Sequence, residues 1–236
     1  MHHATILGAK LHHIRYGDQR GHVGTAHAVA QARPALDGFT GDAIVLYGDT
    51  PFISPETIEQ MVQARATHDV VILGCEAADP GRYGRLVMSG DKLERIVEFK
   101  DATEAERAIT LCNSGVMACN STLLFELIDA VGSDNAAGEY YLTDIVAIAR
   151  ERQLKATVVR CTEAETLGIN TRSDLAQAEA VFQARARSEA IENGVTLHAG
   201  DRAISLDRFS KTVVCESGRS VDYDVLIIAT GSNTFF

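Results

Sequence analysis

The sequence predicts an α/β layer fold on a mainly parallel sheet, followed by a short β-rich tail. Three observations carry this reading. Continuous apolar runs such as Ala43–Tyr47 and Val70–Leu73 are typical of strands buried on both faces. Segments with helix caps alternate with those runs, which is the order of an α/β sheet. After Gly194 the alternation stops, and short strand-like segments follow one another through turns.

The elements follow in order. Gly21–His27 is a small-residue loop leading into a helix, Ala26–Arg33. Ala43–Tyr47 is a strand. Ser54-Pro55-Glu56 supplies an N-cap, a first-turn proline and an acid at the positive end of the dipole, for a helix to about Thr67. Val70–Leu73 is the next strand. Arg85–Met88 and Leu93–Glu98, split by Ser89-Gly90-Asp91, predict a hairpin. Glu104–Ile109 is a short helix and Gly115–Ala118 a strand. Asn120 caps a helix over Ser121–Val131. Thr143 starts a helix to about Arg152, and Ala156–Arg160 is a strand. Ser173 caps a long helix with Leu175, Ala178 and Phe182 on one face, ending near Asn193-Gly194. Val195–Ala199, Ala203–Asp207, Thr212–Glu216 and Val225–Thr230 are short strands. A boundary is expected near residue 194, between a domain over 1–194 and a β fragment over 195–236.

Composition narrows the partners. The chain has 236 residues, 46% of them hydrophobic, and a formal charge of -10 from 22 basic and 32 acidic residues. That charge argues against a nucleic-acid or anionic-membrane surface. No apolar run reaches the roughly 18 residues a membrane helix needs. The five cysteines include no C-x-x-C pair. They read as reduced, buried thiols in a cytoplasmic protein rather than a disulfide framework or zinc site. His2-His3 and His12-His13 lack further partners at ligand spacing, so a metal site there is not expected.

In open α/β sheets, ligands bind beyond the carboxyl ends of the strands. Tyr47-Gly48-Asp49-Thr50-Pro51 stands at such an end. Gly48 permits close approach of the backbone, and Asp49 offers a carboxylate to a hard cation beside a phosphate. The same segment also suits a plain turn. Gly21-His22-Val23-Gly24-Thr25 leads into a helix N-terminus, where exposed N–H groups suit phosphate or base carbonyls. His27 is a helix-face residue or a base. Gly138–Asp144 sets Tyr140 and Tyr141 before a helix, to line a sugar pocket or pack the sheet edge. Asn170 is a metal ligand or makes a loop hydrogen bond. No G-x-S-x-G elbow supports a serine nucleophile.

Taken together, the ordered segments are specific. They are Gly24-Thr-Ala-His-Ala-Val29, Val45–Pro51, Asp79-Pro80 with Tyr83-Gly-Arg85, Ile96–Thr103, Asn113-Ser-Gly115, Gly138–Asp144 and Leu167-Gly-Ile-Asn-Thr-Arg172. Over residues about 19–194 they resemble the uridyltransferase domain of the bifunctional bacterial UDP-N-acetylglucosamine pyrophosphorylase/glucosamine-1-phosphate N-acetyltransferase family. The resemblance implies a Rossmann-like nucleotide-diphospho-sugar transferase fold. It implies that Gly24 and Thr25 contact the uracil, with His22 where the family usually has a glutamine near the base. Tyr47 and Gly48 would lie along the nucleotide. Asp49 and Asn170 would hold Mg²⁺ and carry catalysis. Gly84, Glu98, Asn113 and Tyr141 would contact the N-acetylglucosamine and its phosphate. The implied reaction joins UTP and N-acetylglucosamine-1-phosphate into UDP-N-acetylglucosamine, a precursor of peptidoglycan and lipopolysaccharide, and releases pyrophosphate. Catalysis would rest on positioning and charge neutralisation.

The pattern also departs from the family. The family's glycine-rich loop and lysine around the triphosphate are not found in this sequence, which is expected to start roughly fifty or more residues inside the domain. Impaired turnover is therefore expected, with the first strand of the sheet missing. A non-catalytic UDP-sugar-binding module is the alternative. No hexapeptide repeat of an acetyltransferase β-helix follows residue 194. Instead, Leu197–Asp201, Ile204–Asp207, Lys211–Val214 and Tyr223–Ser232 resemble pieces of a pyridine-nucleotide:disulfide-type flavoprotein of the nitrite reductase group. About forty residues do not bury a flavin alone, so a packing role is favoured over an FAD/NAD(P)H oxidoreductase fragment. The sequence carries no reading of oligomeric state.

Overall fold

The computed structural model describes residues 4–5, 24–194 and 203–224. His22, the histidine pairs at 2–3 and 12–13, and the expected strands at 195–199 and 225–230 lie outside these residues. Two compact units are present, 1–178 and 179–236.

The first unit carries most of the elements. They are β1 (Ala4–Thr5), α1 (Thr25–Ala30), β2 (Asp42–Tyr47), α2 (Pro55–Arg65), β3 (Val70–Glu76), β4 (Arg85–Ser89), β5 (Lys92–Val97), α3 (Glu104–Arg107), β6 (Leu111–Asn120), α4 (Ser121–Ile128), α5 (Ile145–Glu151) and β7 (Ala156–Cys161). Single 3-10 turns stand at Arg33–Leu36, Leu142–Asp144 and Glu163–Thr166. The helix α6 (Arg172–Glu192) crosses the unit boundary, and β8 (Ala203–Asp207), β9 (Thr212–Cys215) and β10 (Ser220–Asp222) belong to the second unit.

The main sheet has the order β1-β2-β6-β3-β7, with the β4–β5 hairpin attached through β6. The α/β class is as expected, but the sheet is mixed. β3 and β7 pair in parallel, whereas β6 runs antiparallel to both β2 and β3. The cause is topological. The chain leaves β3 at Glu76 and returns to Leu111 at the same end, where Glu76 pairs with Leu111 and the Ala77 N–H donates to Thr110 O at 3.0 Å. A connection that returns to its starting end, without a crossover helix, forces the next strand to run backwards. β2, β3 and β7 still point the same way, so their carboxyl ends share one edge. The outer edge of β2 pairs with Ala4 and Thr5, where a missing strand was expected.

The core follows the apolar runs. Val70, Val71, Ile72 and Leu73 are fully buried, as a strand covered on both faces requires. On one face they meet a large cluster that includes Met117, Leu124, Leu142, Ile145 and Val146. Met61 of α2 covers the other face, with Leu73 and Val116. The caps act as read: the Ser54 hydroxyl accepts from Thr57 N–H at 3.1 Å, and Asn120 accepts from Thr122 and Leu123 N–H.

α6 corrects two expectations. Its cap is Thr171 rather than Ser173: Asp174 N–H donates to the Thr171 hydroxyl at 3.1 Å, and the Asp174 carboxylate accepts from Thr171 N–H at 2.8 Å. That reciprocal pair starts the helix earlier. Leu175 and Phe182 do not form a buried face, each being 57% exposed, and Ala178 alone is buried among the helix's described side chains. The second unit is an antiparallel sheet ordered β10-β9-β8. β8 and β9 match their expected strands, and β10 returns through a turn at Gly218 (φ +82°).

Candidate functional site

Two loops leave the shared carboxyl edge and meet. One follows β2 and carries Gly48 and Asp49. The other follows β7 and carries Asn170. Ile169 N–H donates to the Asp49 carbonyl at 2.8 Å, so residues far apart in sequence are tied backbone to backbone. Asp49 is half-buried and Asn170 exposed, with Asn170 N–H held by the Asp174 carboxylate at 3.0 Å. Asp49 and Asn170 offer a carboxylate and an amide oxygen. These are hard donors, and Mg²⁺ takes few protein ligands and completes its octahedron with phosphate oxygens and water. The donor chemistry therefore fits that ion. Among the described residues, no group of three or more His, Cys, Asp or Glu side chains could hold a metal.

Tyr47 ends β2 beside this junction. Its ring fills the space above Gly115, where β6 bulges: β3 advances from Ile72 to Gly74 while β6 spans Met117 to Asn113. Gly115 adopts φ +87°, and its N–H donates to Asn113 Oδ1 at 3.0 Å. Burial pushes the Tyr47 phenol up to about 12, and the charges of Glu98 and Asp49 add to that. The phenol thus stays neutral at ordinary pH.

The bulge aims Asn113 at the hairpin. Asn113 N–H donates to Gly84 O at 2.8 Å. A Cβ on Gly84 would lie 3.3 Å from Ile96 Cγ2 and 3.5 Å from Glu98 Oε1, so the Gly84 backbone packs close beside that carboxylate. Glu98 accepts from the Thr143 hydroxyl at 3.1 Å. Burial pushes the Glu98 carboxyl above its ordinary range. The Thr143 hydrogen bond pulls it down, while Asp144 and Asp101 push it up further. The Tyr141 phenol is raised by burial first, then by Asp101 and Glu98.

The segment at Tyr140–Leu142 packs against the start of α1. The Thr25 hydroxyl accepts from Leu142 N–H at 2.9 Å, and Ala26 N–H donates to Tyr140 O at 3.0 Å. Gly24, at φ +102°, packs so closely on the Tyr140 backbone that a Cβ would fall 2.6 Å from its nitrogen. Gly24, Thr25, Tyr47, Asp49, Gly84, Glu98, Asn113, Tyr141 and Asn170 are thus linked by neighbouring contacts along one edge, with Gly48 exposed between two of them. His27 instead engages Gln31 one helical turn on, which is a helix-face role. A cavity of about 330 Å³ lined by Arg33, Phe39, Ser121 and Phe125 lies at the opposite end of β2 and contains none of these residues.

Three structural supports were not singled out from sequence. Thr143 orients Glu98. Arg85, 2% exposed, donates to the carbonyls of Pro80, Gly81, Tyr83 and Arg107 and so shapes the loop before Gly84. Glu165, 9% exposed, bonds to residues before and within α2. Thr162-x-x-Glu165 was readable as a capping box, but its reach across the fold was not.

A mixed sheet with helices on both faces and a polar edge at the strand carboxyl ends is an α/β domain of the kind that binds ligands at that edge. Residues 5–191 match the nucleotidyl transferase family, and the chain belongs to that family. It is 66% identical over 181 residues to the bifunctional protein GlmU of Ruegeria pomeroyi, a match covering 77% of this chain and 40% of that relative. With the bifunctional protein GlmU of Cereibacter sphaeroides it shares 64% over 188 residues, covering 79% of this chain and 41% of the relative. The chain thus spans about 40% of the length of the curated relatives it matches. A solved structure described as a glucose-1-phosphate thymidylyltransferase from Bacillus anthracis shares the fold at 20% identity and a TM-score of 0.52, over 69% of this chain and 62% of that one. The family match ends at residue 191, and no finding supports the flavoprotein likeness of the tail.

Proposed function

We propose that this chain carries the uridyltransferase site that joins UTP and N-acetylglucosamine-1-phosphate into UDP-N-acetylglucosamine and pyrophosphate. The observation that carries the reading is the bond between Ile169 N–H and Asp49 O, at 2.8 Å, beside the Tyr47–Gly115 contact. It ties the loop that carries the Asp49 carboxylate to the loop that carries the Asn170 amide, and Gly84, Glu98 and Asn113 lie further along the same polar edge. The likeness to the GlmU proteins supports the substrate choice.

In this reading, Asp49 and Asn170 hold Mg²⁺, which supplies charge neutralisation for the phosphates when bound. Glu98, oriented by Thr143, accepts hydrogen bonds from the sugar. The Asn113 amide and the Gly84 backbone border the same corner. Gly24 and Thr25 face the base. Tyr47 stays protonated and shields the middle of the site from water. A phosphate oxygen of the sugar phosphate attacks the α-phosphorus of UTP, and pyrophosphate leaves. The protein's part is orientation, which suits a site without a serine elbow. Five unpaired cysteines fit a reducing, cytoplasmic compartment.

Two measurements test this. Calorimetry of the 236-residue chain with UDP-N-acetylglucosamine, with and without Mg²⁺, is expected to show Mg²⁺-enhanced binding that Asp49→Asn removes. Pyrophosphate release from UTP and N-acetylglucosamine-1-phosphate then separates enzyme from binding module. Absence of UDP-sugar binding sinks the reading.

A further inference from the structure

The two loops of the site hang from strands that are not neighbours, since β6 and β3 lie between β2 and β7. One backbone hydrogen bond between Ile169 and Asp49 leaves their relative tilt free. A second tie comes from Glu165, on the 3-10 turn that begins the Asn170 loop. Its Oε2 accepts from Ser54 N–H at 3.0 Å and from the Thr57 hydroxyl at 2.6 Å. Ser54 closes the Asp49 loop and caps α2. Its Oε1 accepts from Thr162 N–H at 3.3 Å and from the Thr162 hydroxyl at 3.2 Å. Both oxygens are engaged, all four donors are neutral, and the positive end of the α2 dipole lies beside them. A buried carboxylate of this kind is weak evidence for stability as such, because a well-packed apolar replacement is often as stable. What the arrangement does provide is a fixed distance and angle between two loops.

We propose that Glu165 is a positioning residue for the divalent-cation site, clamping the Asp49 loop to the Asn170 loop so that both side chains face one ion. This rests on the reading of Asp49 and Asn170 as the ligands. Groups that orient metal ligands without touching the ion change affinity by roughly 10–100-fold when removed. Glu165 acts on both ligand loops at once.

The test titrates Mn²⁺, as a spin probe, into the 236-residue chain with UDP-N-acetylglucosamine present, and reads free Mn²⁺ by electron paramagnetic resonance. Glu165→Gln keeps the shape but loses acceptor capacity. It is expected to weaken Mn²⁺ binding roughly tenfold or more, with metal-free UDP-sugar affinity unchanged. A lowered melting temperature with an unchanged Mn²⁺ dissociation constant in the folded protein overturns the proposal. Should Glu165→Gln not fold, Thr57→Val removes one donor, and a loss of roughly threefold is expected; no loss again overturns it. Asp49→Asn separates the two claims. If it abolishes Mn²⁺ binding while Glu165→Gln leaves it intact, only the positioning role fails. If Asp49→Asn has no effect, or the wild type binds no Mn²⁺, the ligand assignment fails and the proposal falls with it.

Discussion

The ring of Tyr47 occupies the space that a side chain at position 115 would need. The two residues lie on neighbouring strands, β2 and β6, and Gly115 sits in the left-handed region at φ +87°. Both facts exclude other residues there. Gly115→Ala must strain the backbone and displace the ring, at a cost of about 1–3 kcal/mol. Urea unfolding should show that loss. The Tyr47 phenol should also titrate nearer its ordinary value of about 10, visible as a tyrosinate absorbance change missing from Tyr47→Phe. An unchanged titration would mean that the ring does not depend on the bulge.

Arg85 is a buried cation that donates to the backbone carbonyls of Pro80, Gly81, Tyr83 and Arg107, with Phe99 under its guanidinium at 5.9 Å. Arg85→Met takes the shared buried donor from all four carbonyls. The expected loss is about 3 kcal/mol. Arg85→Lys retains the charge but cannot span the same carbonyls, so it should recover only part of the stability. Sugar binding should weaken in both, because the same loop delivers Gly84.

Two carboxylates should show opposite pH trends. Glu98 is held above its ordinary range, so its burial costs stability at neutral pH, and that cost is relieved as pH falls through its raised value. Wild type should therefore gain stability relative to Glu98→Gln on mild acidification. Burial raises the Glu165 carboxyl, but bonds from Thr57, Ser54 and Thr162 outweigh this and hold it below its ordinary range. Its contribution is complete above the unfolded value of about 4.3 and disappears as pH falls through the lower folded value. The stability gap between wild type and Glu165→Gln should close in that acid window. Chemical denaturation across pH 3–7 (~0.5-unit steps) checks both signs.

Thr143 supplies the hydrogen bond that lowers the Glu98 carboxyl. Thr143→Val should raise its titration further, seen by carbon NMR of the labelled carboxyl. A fixed titration midpoint would show that the hydroxyl is a bystander.

Removal of divalent cations gives a direct check of the ligand pair. With UDP-N-acetylglucosamine bound, chelation should lower the melting temperature of wild type by the linkage expected for a lost ligand. Asn170→Ala should show no such response to chelator. A full response in that variant would place the ion elsewhere.

Much of this was legible locally. The apolar run at Val70–Leu73, the Ser54 and Asn120 caps and the hairpin at Ser89-Gly90-Asp91 each depend on neighbours in sequence, and each is where it was expected. The misplaced cap of α6 was also local: Thr171 and Ser173 both suit the role, and the reciprocal partner Asp174 decided between them. The exposed Leu175 and Phe182 show that helical spacing of apolar residues predicts a face, not its burial.

By itself, the sequence determined the alternation of strands and helices, the chemistry available at the strand ends and the family motifs in their order. These follow from side-chain periodicity, capping and turn preferences, which act over a few residues. Only the tertiary structure decided that β6 runs backwards, that Tyr47 seats on Gly115, that Arg85 gathers four carbonyls and that Glu165 reaches from the end of β7 to the start of α2. Those depend on which distant segments the closed sheet brings within hydrogen-bond range, and a linear pattern does not encode distance across a fold.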